Sequence, residues 1–511
     1  MTKSKLIPFL IGLLFIVMPV ISWAQLSAFQ NALEQKKYDS AILYYQNAVL
    51  DDSVETKPYF IKYLTALAIK GEYKRVYDTL QPLIISETIP SYLKEKAEAL
   101  YTICSFAKKA PRSTEITITN LGDSINSSAA EYFPSINFQD SLFIFMRRAN
   151  WQREDFYTSS LTANGFSKAQ LLNDTLNMPN KKGSASLSKD GNTLYYAADY
   201  PGMGYGRYDI YKVTKTTTGW SAPKNAGRNI NTDFWDSAPS ISPDGQSLYF
   251  CSNRPDGYGG IDIYVSHKNK QGFWEEAENM GPNINTAADE QTPFIHADNK
   301  TLYFASSGWS GYGGSDLFVS RRDHNNNWGT PTNLGYPINT YDNEGSISVA
   351  SNGTEAYIAS DRADSRGGLD IYKVVLANNT RANLIDSPLM KQTLFTITPN
   401  QTQVFNNILF GTNSAELTKA GIELEALVIY LQQNNQAQVF IEGHTDNTGS
   451  EVANMKLSSL RALAIQNYLT QKGIPIQRIH SKGLGSTQPI APNTTPEGRA
   501  LNRRTSFRVQ F

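Results

Sequence analysis

Cysteine, net charge and long apolar runs are all scarce in this chain of 511 residues. Its two cysteines, Cys104 and Cys251, lie in stretches of different texture, and neither has a neighbouring cysteine or histidine. We therefore expect two separate buried thiols rather than a disulfide, a zinc centre or a redox pair. Lysine and arginine total 47, as do aspartate and glutamate, so no overall field attracts nucleic acid or an anionic membrane.

A single long apolar run, residues 6–21, follows Lys3 and Lys5 at the N-terminus. Small residues at 22 and 24 then stand where a signal peptidase reads the chain. We expect a signal peptide at 1–24, removed before Gln25, and export of the rest without a transmembrane span. An uncleaved anchor is the alternative, but the run is short for a span of about 20 residues. No cysteine lies at the cleavage point, so no lipoprotein signal is indicated.

The length of the chain predicts several folded units, and residues 25–110 have a helical texture. Apolar residues recur three and four apart, and the stretches around Tyr38 and Tyr73 align 35 residues apart. This period is similar to that of tetratricopeptide repeats, whose stacked helix pairs form a docking groove for proteins. An ordinary helical bundle is the alternative.

A second texture begins near residue 113 and continues to 376, with short alternating runs rich in aromatics, glycine, asparagine and aspartate. The sequence repeats every 54 residues, as in "LYFCSNRPDGYGGIDIY" and "LYFASSGWSGYGGSDLF". One aspartate and one asparagine mark the phase of the copies, at Asp155, Asp209, Asp262, Asp316 and Asp370 and at Asn126, Asn177, Asn231, Asn285 and Asn339.

Five copies of a unit of about four short strands indicate an all-β propeller of five blades, with a sixth, degenerate blade as the alternative. The repeats resemble the PD40 type of WD40-like blade found in TolB-like periplasmic proteins. We expect "EITITNLG" at 115–122 to supply the outer strand of the last blade, because closing the ring removes exposed sheet edges. The recurring aspartates suggest calcium or catalysis, but residues present in every copy are better explained by turns and blade packing.

Residues 377–402 are polar, lack a sustained period and are interpreted as a linker. From 403 to 511 strand and helix patterns alternate, with helices expected at 417–433 and 451–472. This alternation predicts an α/β sandwich with helices on one face of a mixed sheet.

Several motifs in this last region, in order, resemble the OmpA-like C-terminal domain, which binds peptidoglycan. They are "NILF", "GHTDNTG", "NMKLSSLRA", "GIPIQRI", "GLGSTQP" and "GRALNRRTSF". The resemblance implies a site for the meso-diaminopimelate of the stem peptide, whose free end carries an ammonium and a carboxylate. It assigns that site to Asp446, Arg461, Asn454, Thr448, Arg504 and Asn413.

The chemistry of the two leading residues agrees with that assignment. Asp446 can accept an ammonium, and Arg461, about three turns into the following helix, can bind a carboxylate through two nitrogens. A structural ion pair between them is the alternative. Glu442 with Asp446 could be offered as a pair of catalytic carboxylates, but no nucleophile, phosphate loop or histidine cluster accompanies them. We expect no catalytic residue, metal or cofactor.

These regions together predict a peptidoglycan-bound periplasmic scaffold, associated with the outer membrane, that holds envelope or secretion-system proteins through its propeller and helical repeats. Their order is similar to PorE-type anchors of the type IX secretion system of Bacteroidota. Two features of that family are missing here, a lipoprotein cysteine and a module between propeller and anchor. A ligand-sensing or carbohydrate-binding propeller localised by the anchor is the alternative, and an envelope hydrolase is a third class.

Overall fold

The computed structural model describes three units of the chain. The described residues are 24–49, 58–110, 115–137, 140–150, 153–162, 165–172, 176–177, 181–217, 219–323, 325–362, 364–382, 393–394, 396–405, 409–410 and 414–511. The units are a group of N-terminal helices, a ring of antiparallel sheets and a C-terminal α/β unit. The predicted signal peptide, except Ala24, lies outside the described residues, and so does the predicted site residue Asn413.

The helical unit contains five helices within the described residues. They are α1 (24–34), α2 (Tyr38–Val49), α3 (Phe60–Ile69), α4 (Tyr73–Ile85) and α5 (Ser91–Lys109). The two tyrosines that align in the sequence, Tyr38 and Tyr73, each begin a helix, so the aligned stretches occupy corresponding positions. Phe29, Leu64 and Leu100 lie in its apolar core. The tetratricopeptide assignment of these helices stays a prediction.

The ring consists of five sheets, and in four of them the strands follow chain order from the centre outward. The first sheet contains β2 (Ala130–Ile136), β3 (Leu142–Asn150), β4 (Arg153–Thr162), β5 (Gly165–Phe166) and β6 (Gln170–Leu171). The second contains β7 (Lys182–Leu187), β8 (Thr193–Ala198), β9 (Asp209–Thr216), β10 (Gly219–Trp220) and β11 (Lys224–Asn225). The third contains β12 (Asp236–Ile241), β13 (Ser247–Ser252), β14 (Asp262–His267) and β15 (Glu278–Asn279).

The fourth sheet contains β16 (Glu290–Ile295), β17 (Thr301–Ser306), β18 (Asp316–Arg321) and β19 (Thr332–Asn333). The fifth contains β20 (Ile347–Val349), β21 (Glu355–Ser360), β22 (Asp370–Val375) and, from the start of the region, β1 (Thr117–Asn120). The first strands β2, β7, β12, β16 and β20 contact one another in sequence, and β20 returns to β2. The sheets therefore form a closed ring.

Two sets of contacts close the ring between its first and last sheets. Strand β1 pairs antiparallel with β22 and becomes the outer strand of the fifth sheet, which confirms the role expected for "EITITNLG". At the centre, the Ile136 N–H donates to Ser348 Oγ at 3.0 Å. The same bond joins Ile295 of the fourth sheet to Ser240 of the third, also at 3.0 Å. A repeated hydroxyl thus joins successive first strands.

The repeated aspartate and asparagine both have structural roles, and for the aspartate this confirms the prediction from the sequence. The Asp262 carboxylate accepts hydrogen bonds from the Gly259 N–H at 3.0 Å and from Asn279 Nδ2 at 2.7 Å, which closes the glycine-rich turn. Asn285 accepts from the Ile263 N–H and donates to the Ile263 carbonyl, both at 2.9 Å. The same pair of hydrogen bonds to the N–H and carbonyl of one residue is made by Asn126, Asn177, Asn231 and Asn339.

The two cysteines are buried and free, as predicted. Burial raises the pKa of the Cys104 thiol to about 12 and raises that of Cys251 as well. Both side chains therefore stay protonated at neutral pH and pack as small apolar groups.

The helical unit packs on the glycine-rich turn of the fourth sheet and on the segment between β19 and β20. The ring of Tyr73 lies 5.5 Å from that of Tyr312 and 6.0 Å from that of Tyr336, centroid to centroid, and Phe106 lies 5.4 Å from Tyr312. A Cβ on Gly71 would lie 2.5 Å from the Tyr336 hydroxyl, so glycine is required for this approach. The helices and the ring therefore share one apolar cluster.

The first residues of the predicted linker are bound to the ring. Arg321 Nη2 donates to the carbonyls of Asn379 at 3.0 Å and Arg381 at 2.7 Å, and the Tyr303 hydroxyl donates to the Thr380 carbonyl at 2.8 Å. Residues 383–392 lie outside the described part of the chain.

The C-terminal unit has a four-stranded mixed sheet in the order β23, β28, β26, β27, in which β26 and β27 are parallel. Its elements are β23 (Gln403–Val404), β24 (Leu409–Phe410), β25 (Leu417–Lys419), α6 (Gly421–Gln433), β26 (Gln438–Gly443), α7 (Glu451–Gln471), β27 (Ile479–Gly483), α8 (Pro496–Asn502) and β28 (Thr505–Gln510). The helix expected from residue 417 begins instead at Gly421, because Leu417 and Lys419 pair with β24.

Candidate functional site

The loop between β26 and α7 forms the centre of the candidate site. It leaves β26 at Gly443, where a Cβ would lie 2.2 Å from the Ser458 carbonyl oxygen, so only glycine lets the strand approach α7 this closely. The His444 N–H donates to the Arg504 carbonyl, and the Thr445 N–H donates to the Gly485 carbonyl, both at 2.9 Å. Neighbouring segments on both sides therefore fix the loop before Asp446.

The start of α7 is fixed by a side-chain cap. Ser450 has extended backbone angles, and its hydroxyl accepts from the Ala453 N–H at 3.2 Å. This bond satisfies one of the free N–H groups of the first helical turn. The helix then extends from Glu451 and carries Asn454 and Arg461 on its first three turns.

Asp446 is 7% exposed and accepts two hydrogen bonds through separate carboxylate oxygens. The Thr448 N–H donates to Oδ1 at 2.9 Å, and Arg503 Nη1 donates to Oδ2 at 2.7 Å. Burial opposes the charged form, but the bonds from Arg503 and Thr448 outweigh it and hold the pKa of Asp446 below its usual range. A carboxylate is therefore present near the surface at neutral pH.

Arg461 is half-buried on α7. Its Nε donates to the Ser414 carbonyl at 3.0 Å, and its guanidinium lies 5.3 Å from the centre of the Phe410 ring. Burial, and then the charge of Arg503, lower the pKa of Arg461. The charge of Arg503 thus acts on both Asp446 and Arg461. A carboxylate and guanidinium groups related in this way can bind an ammonium and a carboxylate together.

Asn454 and Thr448 shape the loop from within. Asn454 is 7% exposed, and its Nδ2 donates to the Asp446 carbonyl at 3.3 Å and to the Thr448 carbonyl at 3.1 Å. Thr448 is exposed and bonds to Asp446 through its N–H. The structure therefore brings both residues to Asp446, with Asn454 holding the main chain of the loop.

Arg504 makes its side-chain hydrogen bond to Gln488, and its neighbour Arg503 makes the bond to Asp446. Arg504 Nη2 donates to the Gln488 carbonyl at 3.1 Å, and burial is the main cause of its lowered pKa. Both arginines precede β28, so either could face the loop, and the sequence "NRR" does not distinguish them. Arg503, which is not among the residues predicted from the sequence, is thus a further candidate for the site.

Thr445 is a second residue beside the site that the sequence analysis does not include. It is 5% exposed, and its hydroxyl has no hydrogen-bond partner among the described residues. His444 is buried beside it, and burial, reinforced by the charge of Arg504, lowers its pKa to about 4. The imidazole is therefore neutral at neutral pH.

No group of three or more histidine, cysteine, aspartate or glutamate side chains is placed to hold a metal ion in the described part of the chain. Among the same residues, no helix combines the length and apolar composition that crossing a bilayer requires.

Comparison with known proteins gives a family for the C-terminal unit. Residues 409–503 match the model of the OmpA family. Over 103 residues, 20% of this chain, the sequence is 46% identical to the peptidoglycan-binding protein ArfA of Mycobacterium tuberculosis and 40% identical to the probable lipoprotein YiaD of Escherichia coli. The chain spans 32% of the length of ArfA and 47% of that of YiaD.

One solved structure is similar over a larger part of the chain. TolB from Acinetobacter baumannii is 16% identical, with a TM-score of 0.34, and the match covers 56% of this chain and 70% of that protein.

Proposed function

We propose that the C-terminal unit binds peptidoglycan non-covalently through the diaminopimelate of the stem peptide. The observation that carries this proposal is the cluster of Asp446, Arg461 and Arg503 in a unit that matches the OmpA family. The similarity to a relative named for peptidoglycan binding supports the same reading.

The ligand's chemistry suits the cluster. The free end of diaminopimelate carries an ammonium and a carboxylate on one carbon, so it needs an anion and a cation side by side. Asp446 accepts the ammonium, and a guanidinium of Arg461 or Arg503 binds the carboxylate. Arg503 neutralises Asp446 before the ligand binds. The ligand ammonium therefore replaces one of the hydrogen bonds that the Asp446 carboxylate already accepts. This exchange limits the net gain and keeps the interaction reversible.

We infer that the ring is a five-bladed propeller of the WD40-like class and that the helical unit is tetratricopeptide-like. Five sheets whose first strands close on themselves, with β1 completing the fifth, support the first assignment. The repeated aspartates and asparagines support main-chain turns, so no catalytic role is assigned to them. The protein as a whole is then a scaffold without enzymatic turnover, which holds proteins at the cell wall.

The proposed location is the periplasm, bound to peptidoglycan and associated with the outer membrane. The relatives of the C-terminal unit include a probable lipoprotein and outer membrane proteins. The order of helical unit, ring and anchor favours a secretion machine of the type IX kind as the assembly. A strain without this protein should then fail to secrete that machine's cargo, and normal secretion would reject this assignment.

The anchor is tested by co-sedimentation of the chain from Gln25 onward with insoluble peptidoglycan sacculi. Losing one partner of a buried charge interaction costs about 2–5 kcal/mol, so Asp446→Ala and Arg461→Ala should each release most of the protein. Arg508→Ala is the matched control, because Arg508 lies on β28 of the same unit and packs 5.5 Å from the Phe440 ring, as Arg461 packs on Phe410. Retention of both site variants at the level of the parent would reject this site, and a parent that does not sediment with sacculi would reject the anchor.

The scaffold role is tested separately by co-purification after the sacculi are digested. A stable protein partner should remain with the chain. A protein that loses every partner on digestion but binds soluble glycans would instead favour the sensing propeller.

A further inference from the structure

The ring has a cavity of about 420 Å³ at the seam between its fifth and first sheets, where the chain passes from the outer strand β1 to β2. We call this cavity the seam pocket. It is lined by residues of the segment 123–128, by Arg147 of β3, by Lys168 and Ala169 between β5 and β6, and by Arg366 of the fifth sheet. A Cβ on Gly367 would lie 2.3 Å from the Ala129 carbonyl oxygen, so the turn that bears Arg366 is held against the chain beyond this segment.

Two other seams of the ring are filled at the equivalent place by an asparagine side chain. Asn229, two residues before the repeated asparagine, donates from Nδ2 to the Trp274 carbonyl at 2.7 Å. In the next seam Asn283 makes the same bridge to the Trp328 carbonyl at 3.1 Å. At the seam between the fifth and first sheets the residue in this position is Ser124, whose side chain is too short for the bridge. This difference leaves the pocket open.

The main chain follows the same course at a filled seam and at the open one. The Ala169 N–H donates to the Ser124 carbonyl at 2.8 Å, as the Ala277 N–H donates to the Asn229 carbonyl at 3.1 Å. The pocket therefore arises from the change of side chain and not from a displacement of the chain.

Arg147 presents one guanidinium nitrogen to the pocket. Its Nε donates to Glu131 Oε1 at 2.6 Å, and its Nη2 donates to the Ile125 carbonyl at 2.8 Å. The guanidinium also lies 4.2 Å from the centre of the Tyr157 ring, so these contacts fix a side chain that is 17% exposed. Its Nη1 makes no hydrogen bond to another described residue, and this nitrogen therefore remains for a ligand.

The described wall of the pocket carries three cations and one carboxylate. Arg366 pairs with the carboxylate, Asp123. Two buried acids lie behind the wall and accept hydrogen bonds from the ring, Glu131 from the Ser127 N–H at 3.1 Å and Asp370 from the Arg366 N–H at 3.1 Å. The exposed Lys168 makes no ion pair within the described ranges, so its ammonium is the charge that a ligand would neutralise.

We propose that the seam pocket binds a small sugar acid, a monosaccharide with a carboxylate or phosphate group. Arg147 Nη1 and the Lys168 ammonium bind the oxyanion, because cationic donors make the strongest hydrogen bonds to such a group. The volume of the pocket is in the range of small-molecule sites. Ala169 is the one apolar residue of the described wall, whereas serines at 124 and 128 offer hydroxyls to the sugar. The inference goes beyond the proposed function, because it needs neither the anchor nor a protein partner.

Isothermal titration of the chain from Gln25 onward, without peptidoglycan, tests the proposal. The probes are glucuronate, anomeric glucose phosphate, glucose and inorganic phosphate. Ser124→Asn introduces the side chain that fills the other seams, and Lys168→Gln removes the unpaired charge. Lys270→Gln is the matched control, because Lys270 is an exposed lysine in the turn after β14 of the third sheet. The midpoint of thermal unfolding should be the same in all three variants as in the parent.

At least one anionic sugar should bind the parent and the control, and glucose should bind about tenfold more weakly or less, since the oxyanion supplies the charge-assisted bonds. Ser124→Asn and Lys168→Gln should each weaken this binding about tenfold or more. Failure of both anionic sugars to bind, or binding that Ser124→Asn leaves unchanged, would overturn the proposal. Inorganic phosphate that binds as tightly as the sugars would overturn the assignment to a sugar. All variants should remain on sacculi like the parent, so a failure of the anchor is seen separately.

Discussion

The guanidinium of Arg503 lies 2.7 Å from the carboxylate of Asp446, although 57 positions separate the two residues along the chain. The register of the sheet explains the contact. Gly443 at the end of β26 pairs with Thr505 at the start of β28, in antiparallel orientation. The loop after β26 therefore meets the residues that precede β28, and Asp446 faces Arg503. A cation is thus positioned by strand pairing rather than by the helix that carries Arg461.

We expect Arg503→Ala to weaken retention on sacculi about tenfold or more, since a lost interaction of 1.4 kcal/mol changes a binding constant tenfold. Arg504→Ala should leave retention near that of the parent and lower the thermal midpoint, because Arg504 bonds to the Gln488 carbonyl away from Asp446. Co-sedimentation and thermal unfolding of both variants make the comparison. Equal loss of retention in both would contradict the division of roles between these neighbours.

A second prediction concerns the repeated asparagine, which makes two hydrogen bonds to the main chain in each sheet of the ring. Asn285 is 2% exposed and makes two bonds to the main chain of Ile263, so Asn285→Ala leaves buried main-chain groups without partners. We expect a loss of about 2–4 kcal/mol in the free energy of unfolding, measured in urea. Asn283→Ala is the control, because Asn283 is exposed and makes one bond to the Trp328 carbonyl. Similar losses in both variants would argue against the structural role.

The repeat could be located from the sequence because main-chain geometry demands the same residue in every copy. Asp262 and Asn285 each bond to main-chain groups at a fixed place in the sheet. Each residue therefore recurs from copy to copy, and its 54-residue spacing marks the phase of the repeat. The spacing does not reveal what covers a turn. Tyr258 and Tyr312 occupy the same position in "GYGG", yet their exposed fractions are 52% and 1%. Packing between units, which leaves no local pattern, makes that difference.

The candidate site was predictable to a similar extent. The motif around Asp446 and Arg461 identifies the loop and helix, and the structure brings Thr448 and Asn454 to the same place. The choice between Arg503 and Arg504 depends on the register of β28, and the sequence carries no signal for it. Likewise α6 begins at Gly421 because residues 417–419 are used as a strand, a choice made by pairing and not by helical periodicity.

A third prediction tests how the helical unit is held. Gly71 has φ +76°, and a Cβ there would meet the Tyr336 hydroxyl at 2.5 Å, so Gly71→Ala should lower the free energy of unfolding by about 1–2 kcal/mol and speed hydrogen exchange in α4. Gly272→Ala is the control, because Gly272 has φ +85° with open space around it and reports the backbone cost alone.

The clash can be separated from the backbone cost by a double variant. With Tyr336→Ala already in place, Gly71→Ala should cost no more than Gly272→Ala, because the hydroxyl that the methyl meets is gone. A full cost in both backgrounds would show that the glycine is needed for its φ alone.

The last prediction concerns pH and the buried Glu344 beneath the helical unit. Burial raises its pKa to about 8 despite hydrogen bonds from the Thr340 N–H at 3.0 Å and hydroxyl at 2.7 Å, with Asp316 raising it further and Arg362 lowering it. In the unfolded chain a glutamate titrates near 4.3. At a pH between these two pKa values the folded protein therefore holds a proton on Glu344, and unfolding releases it.

The sign follows from this linkage. The contribution of protonated Glu344 to the free energy of unfolding is complete below the unfolded pKa and is lost as pH rises through about 8. The free energy of unfolding falls by on the order of a few kcal/mol over this range. Glu344→Gln carries no charge to bury, so its thermal midpoint should match the parent's more closely at pH 5 and exceed it increasingly from pH 6 to pH 8. Glu278→Gln, at an exposed glutamate of the third sheet, should follow the parent throughout. If the midpoints of Glu344→Gln and the parent stay parallel across this range, Glu344 is ionised in the folded protein and the ring must stabilise that charge.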